Sequence, residues 1–456
     1  MHDRANLSTH TTRTCRWIPA VLLSLFFWTA MGAAQVDPGP RPGAAGAGGP
    51  LKGLPANQLN NFNLGQIIFN QTASVKATVS GTRIGLGPRF NGESCMSCHS
   101  QPAVGGTSPS VNPEFAAATD QGATNTIPSF ITPNGPAREA RFVHLADGVT
   151  PDGGVQDLFT ITGRSDAGLC NIAQPDFTSN LAKNNVIFRI PTPVFGTGLI
   201  EEIPDSTVLA NMQSNLALKQ SLGIGGIPNT TPNGGTISKF GWKSQNPSMI
   251  VFAAEASNVE LGITNEMLTQ ERDETPGCVL NSTPEDHLNF AAKTPTQVLS
   301  AMMNIDLFMR FLDQPTPAVP TPSTVNGQTQ FNNVGCVLCH TTALTTGNSS
   351  IKPLSNVSAN LFSDLLIHHM GPGLADGVTQ GAATGDMFRT APLWGLGQRL
   401  FFLHDGRETD LLKVIQDHLS VGNGVYPDSE ANQVINNFNA LSQTNQQDLL
   451  NFLRSL

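Results

Sequence analysis

The chain has 456 residues and a formal net charge of −9, and only 13% of its residues are Asp, Glu, Lys or Arg. An acidic balance argues against nucleic acid or an anionic membrane surface as a partner. With 44 glycines and 32 prolines, it reads as a protein of long ordered connections rather than a bundle with short turns, and its length allows two or three domains.

At the N-terminus, Arg13 and Arg16 precede an apolar run from Ile18 to Met31, which ends in Gly32-Ala33-Ala34. That order of charge, apolar run and small residues is the pattern of a secretory signal peptide over residues 1–34. The run is short for a bilayer span, and no other stretch approaches one. A soluble, secreted, periplasmic protein with a cleaved signal peptide is expected, with no membrane span left after cleavage. Loss of Arg4, Arg13, Arg16 and Asp3 takes the charge from −9 to −11.

Residues 35–55 are Gly, Pro and Ala with little else, and they read as a flexible leader. From Asn57, the positions Leu59, Phe62, Leu64, Ile67, Ile68 and Phe69 predict a helix. A Gly-rich turn, Gly81 to Gly87, leads to Cys95-Met-Ser-Cys98-His99. A second helical stretch is predicted over Thr296–Phe311, then a Pro-rich linker over 314–322. Next comes Cys336-Val-Leu-Cys339-His340, 241 positions after the first motif. Phe90-Asn91 and Phe331-Asn332 each stand five residues before their motif and look like a shared lead-in. A closing helix over Asn445–Leu456 carries Leu449, Phe452, Leu453 and Leu456 on one face.

Cys-x-x-Cys-His is the attachment signature of c-type haem. Two thiols two residues apart can add to the two vinyl groups of one porphyrin, and the adjacent histidine reaches the iron as an axial imidazole. A zinc half-site would want a second ligand pair at short range, and none follows Cys98 or Cys339. A dithiol would not need the histidine. Two covalently bound haem c groups are therefore expected, held by Cys95, Cys98, Cys336 and Cys339, with His99 and His340 as iron ligands. Of seven cysteines, Cys15 leaves with the signal and four hold haem, so Cys170 and Cys278 remain. In an oxidising compartment they are expected to pair; the alternative is two buried free thiols.

Phe188-Arg189-Ile-Pro-Thr-Pro-Val-Phe-Gly196 echoes Phe388-Arg389-Thr-Ala-Pro-Leu-Trp-Gly395, each downstream of its motif. The interval is 90 residues from His99 to Arg189 and 49 from His340 to Arg389, so the first unit carries an insertion of about forty residues. The fold expected is mainly α, two tandem c-type cytochrome domains with long loops and little β structure. They divide into an N-terminal haem domain over 56–313, the linker 314–322 and a C-terminal cytochrome domain over 323–456.

The run Arg389-Thr-Ala-Pro-Leu-Trp-Gly-Leu-Gly, followed by Phe401-Phe-Leu-His404-Asp405-Gly406-Arg407, resembles the bacterial di-haem cytochrome c peroxidase superfamily. Within it, five further runs resemble the di-haem oxidoreductase family, sometimes named thiol oxidoreductases. They are Gly85-Leu-Gly-Pro-Arg-Phe-Asn, Gln156-Asp-Leu-Phe-Thr-Ile-Thr-Gly-Arg164, Gly241-Trp242-Lys-Ser-Gln, Gly262-Ile-Thr-Asn and His369-Met370-Gly-Pro-Gly-Leu-Ala-Asp376. The resemblance implies two haem domains facing each other. One haem would relay electrons from a small periplasmic carrier, and the other would meet peroxide or a similar oxidant. It also implies a homodimer in some relatives, and a calcium ion between the domains, for which no oxygen cluster is legible in sequence.

Aligned on the His-Asp-Gly turn, His418 falls where the peroxidases place a distal methionine, so His418 is the expected second ligand of the His340 haem, with Met370 as rival. Bis-imidazole ligation lowers the potential relative to His/Met. Those peroxidases usually supply a distal histidine some sixteen residues after the first motif; here the run is Ser110-Val-Asn-Pro-Glu114-Phe115. That departure suggests an open iron with Glu114 as the acid–base group, or ligation by His144. Arg189 and Arg389 are candidates for pairing with haem propionates. Trp242 and Trp394 read as core residues or an electron path, and Tyr426 as a surface turn. The function expected is a peroxidase-like di-haem oxidoreductase; the alternative is a non-catalytic electron-transfer cytochrome. Oxidative modification of a substrate is a third reading. Thiol oxidation finds no free reactive cysteine pair to support it.

Overall fold

A pair of crossed helices, used twice, organises the chain. The computed structural model describes residues 35–155 and 158–456; the expected signal peptide, and Gln156 and Asp157 of the family-like motif, lie outside the described residues. The principal helices are α1 (Ala56–Asn70), α2 (Met249–Leu261), α3 (Ala301–Phe311), α4 (Pro322–Val334), α5 (Leu411–Asp417) and α6 (Gln443–Ser455). The strands described here are short and form two-stranded ribbons, so the fold is mainly α.

In the first half α1 crosses α3. Phe62 and Phe69 pack on Phe308 with ring centroids 5.2 and 4.8 Å apart. The approach needs a glycine, because a Cβ at Gly65 would collide with the Asn304 carbonyl. In the second half α4 crosses α6 in the same way, and a Cβ at Gly327 would collide with the Asp448 carbonyl. Four residues after each glycine stands a phenylalanine, Phe69 or Phe331, which meets the histidine of its Cys-x-x-Cys-His motif at 6.0 or 6.3 Å.

This pairing corrects two sequence expectations. Thr296–Phe311 is not one helix: a turn over Pro295–Val298 breaks at Leu299, and α3 starts afresh with Ser300 as its cap. Nor does α3 lead into the second motif; it packs on α1, and α4 makes the lead-in. The Phe-Asn echo is a coincidence of spacing, since Phe90 lies in a strand (Arg89–Phe90) whereas Phe331 lies in α4.

The Phe-Arg echo is structural. Strand β1 (Glu139–Phe142) pairs antiparallel with β2 (Val186–Arg189), and β3 (Ile367–His369) with β4 (Met387–Arg389). Arg189 and Arg389 each end the second strand of their ribbon. Beyond them, Gly196 and Gly395 both take left-handed φ (63° and 73°), and a Cβ at Gly196 would strike the Trp394 ring. One hydrophobic core runs through this contact, joining Phe69, Phe308 and Phe195 to Leu361, Leu365 and Trp394.

The segment after residue 34 is not a free leader. Leu51 N donates to Phe311 O (2.8 Å), Thr316 N to Gly46 O (2.8 Å) and Arg41 N to Gly397 O (2.7 Å). Its composition suggested flexibility, but small residues also let a backbone lie close against another chain segment. No helix among the described residues is long and apolar enough to cross a membrane.

Cys170 and Cys278 form a disulfide across 108 residues, as the cysteine count predicted. A closed loop on the order of 100 residues is worth about 4.7 kcal/mol in the chain-entropy account. Replacing both cysteines with alanine is expected to cost about 4 kcal/mol of unfolding free energy in guanidinium titration of the oxidised protein.

Candidate haem sites

Ser94 starts the turn of the first motif, its Oγ accepting from Ser97 N (3.3 Å), so Cys95 and Cys98 fall on one helical turn. In the second motif, Gly335 at φ 106° ends α4 and swings the chain into a 3₁₀ turn over Cys336–Leu338. The histidines that follow are held alike. His99 Nδ1 donates to Gly106 O and His340 Nδ1 to Phe362 O, each at 3.0 Å. In His340 that bond fixes the tautomer with Nε2 free, the arrangement a metal-bound imidazole needs, whereas His99 makes a second backbone hydrogen bond, to Thr192. Loss of water pushes both imidazoles down to about 4, so both are neutral and available as donors. It also pushes Cys98 well up and Cys336 up to about 12, which leaves neutral thiols rather than a reactive dithiol.

Each motif opens into a cavity. That of the second motif spans about 1390 Å³ with its open mouth included and is walled mainly by apolar side chains. His418 faces it from the end of α5, its Nδ1 donating to Val414 O (2.7 Å), so its Nε2 is free like that of His340. The other histidines on this wall differ. His368 has both nitrogens engaged, Nδ1 with Glu430 (2.6 Å) and Nε2 with Asp364 (3.0 Å). His404 lies stacked on Phe388, centroids 4.3 Å apart. Met370 also lines the cavity.

The first motif's cavity spans about 890 Å³, mouth included, and His99 is the one histidine on its wall among the described residues. Glu114 is there, 2% exposed. Its carboxylate accepts from Arg138 N (3.2 and 3.1 Å to the two oxygens), yet burial pushes it up to about 8, so it is a neutral acid near pH 7. His144, the other candidate from sequence, lies outside both cavities and is tied through its backbone to Asn185.

The cavities fit haem on a ground independent of the motifs. Arg389 and Arg399 are buried on the wall of the larger one, pushed down to about 10 by burial, and neither is paired with a carboxylate among the described residues. Buried guanidinium groups without an anion are costly, and propionates would supply it. In the smaller cavity Arg189 has a buried Nε with no partner.

Residues 143–456 match the family described as "Di-haem oxidoreductase, putative peroxidase". The chain belongs to this family. Among solved structures it is similar to the diheme peroxidase BthA from Burkholderia thailandensis (13% identity, 87% of this chain, 86% of that one, TM-score 0.37). It is similar also to Kuenenia stuttgartiensis hydrazine synthase (14% identity, 98% and 100% covered, TM-score 0.35). A MauG-like protein associated with microbial copper homeostasis shares 16% identity over 36% of this chain and 55% of that one, at TM-score 0.26. No curated protein matches.

In this di-haem oxidoreductase Trp242 lines both cavities; its Nε1 donates to Ile190 O (2.9 Å) and its ring meets His404 edge-on at 6.5 Å. Trp394, by contrast, fills the core. Sequence reasoning missed three wall residues. Glu139 and Glu260 face the smaller cavity, Glu139 beside Arg141 and across the ribbon from Arg189, Glu260 accepting from Asn91 (3.1 Å). Arg399 faces the larger. Strand alternation in Glu139-Ala-Arg141 was the available signal for Glu139; for Arg399 and Glu260 there was none.

Beside Trp242 a cluster of oxygens is filled by the chain's own ammonium. Lys243 Nζ lies among oxygens there, at 2.8 Å from Thr384 O, 2.9 Å from Met387 O and 3.0 Å from Asp376 Oδ1, with the Phe388 ring 4.0 Å away. An ammonium has three donors, and all three are satisfied. These oxygens are not free for calcium.

Glu114 ionises at about 4.5 when unfolded and at about 8 in place. Stability drawn from the buried neutral acid is complete below the first value and lost as pH rises through the second. Denaturation midpoints measured from pH 5 to 8 are expected to fall less steeply in Glu114→Gln than in the unaltered chain.

Proposed function

We propose that the chain is a periplasmic oxidoreductase of peroxidase type, carrying electrons from a small carrier through the second haem to peroxide at the first. The observation that carries this reading is the unequal supply of imidazole. The second cavity offers two histidines with free Nε2 atoms, His340 and His418, which favours a closed, six-coordinate relay. The first offers His99 and, in place of a second base, the neutral acid of Glu114.

The residues would divide as follows. Cys95 and Cys98 hold one haem and Cys336 and Cys339 the other, as thioethers, with His99 and His340 ligating through Nε2. Bound haem supplies the redox-active iron. Glu114, held by Arg138 N, keeps a proton on its carboxyl at neutral pH and can pass it to the leaving oxygen of a peroxide, the general-acid part of the reaction. Arg389 and Arg399 hold propionates of the second haem. Trp242, on both walls, occupies the path between the sites. The disulfide and the signal-like N-terminus support an oxidising, extracytoplasmic location.

Ferric electron paramagnetic resonance tests the division. One low-spin, bis-imidazole haem and one high-spin haem are expected, and His418→Gly should convert the first signal while leaving the second. Two low-spin haems with no cyanide binding and no peroxide turnover would return the chain to pure electron transfer. Glu114→Gln is expected to lower kcat for peroxide by about 10²-fold or more, the usual contribution of a positioned acid.

A further inference from the structure

The segment from Gln35 to Leu51 forms a strap that starts on the second half and ends on α3 of the first. Its tip is held by reciprocal bonds, Val36 N to Gln447 Oε1 (2.8 Å) and Gln447 Nε2 to Val36 O (2.9 Å). Its middle is held by Gln398 Nε2, which donates to Arg41 O and Gly43 O at 3.1 Å each. Between them lies Asp37, whose side chain is 6% exposed.

Asp37 bridges α6 and the first turn of α5. Arg454 of α6 donates to it twice, Nε to Oδ1 (2.7 Å) and Nη2 to Oδ2 (2.6 Å). Leu411 N, the first amide of α5, donates to Oδ2 at 2.8 Å. The second and third amides of α5, Leu412 and Lys413, go to Asp410. The third arm of Arg454, Nη1, donates to Arg399 O (3.0 Å), and its guanidinium covers Phe402 at 5.1 Å. Leu411, Arg399 and Phe402 all line the second cavity.

Helix α5 has seven residues and ends at His418. A helix that short has no stability of its own in water; its position is set by what grips it. We propose that Asp37 is a positioning residue for the second haem: the strap latches the first turn of α5 to α6 and so fixes the axial approach of His418. This rests on the reading of His418 as that haem's ligand. Paired charges with little exposure hold such a latch more firmly than exposed ones would.

The test uses the secreted holoprotein, with cyanide as the probe. Cyanide reaches the second iron only when His418 leaves, so decay of the bis-imidazole signal after mixing reads the opening of α5. Asp37→Asn, which keeps shape but loses charge, and Asp37→Ala are expected to speed that decay by about tenfold or more, while cyanide binding at the open first haem keeps the rate it has in the unaltered chain. His418→Gly serves as reference and should lack the signal from the start. An unchanged spectrum in His418→Gly overturns the ligand reading and the latch with it. A lost signal there, with both Asp37 variants exchanging within twofold of the unaltered chain, overturns the latch alone. Equal disturbance of both haems in the Asp37 variants also overturns it, in favour of a general effect on stability.

Discussion

Two glycines set the geometry on which both sites depend. At Gly65 and Gly327 one helix backbone rests directly on another, so the phenylalanine one turn later is carried to the histidine of the attachment motif. The histidine then has one ring face controlled by packing and one nitrogen fixed by a backbone carbonyl. In His340 only the second nitrogen is left to react, while His99 also meets the Thr192 backbone. A larger residue at either glycine would separate the helices, and the error would pass through the phenylalanine to the metal ligand.

The two sites share this frame and differ in what faces them. The second is walled mainly by apolar side chains, with His340, His418 and two arginines that have no carboxylate partner among the described residues. The first is lined by carboxyl groups and arginines in alternation, and burial decides which are charged. Glu139 is held ionised beside Arg141 and Arg189, although burial alone would raise it, whereas Glu114 and Glu260 are pushed up and stay neutral. The two cavities therefore differ in polarity although the frame around their histidines is the same.

Much of this was legible in sequence where the signal is local. The attachment motifs, α1, the closing helix and the cysteine count needed only short spacings or arithmetic. The Phe-Arg echo was real because each arginine ends a ribbon. The Phe-Asn echo failed because spacing from a cysteine carries no information about whether the lead-in is strand or helix. The true lead-in, a glycine and a phenylalanine four apart, stands 30 residues before Cys95 but 9 before Cys336. An insertion between them hid the repeat. Residues 35–55 misled for a different reason: glycine and proline report what a backbone can do, not what it lies against. Glu260 and Arg399 reach their cavities only through tertiary packing, which no pattern of neighbours records.

The seat of Trp394 on Gly196 has a consequence for distance. That contact lies in the core shared by the two repeats, and Gly395 returns it by lying against Pro315 and Phe195. Packed interiors are nearly as dense as organic crystals and yield little. The gap between the two cavities is thus a constant of the packing, not a variable of a hinge. Any movement of one cavity against the other would first have to open this shared core.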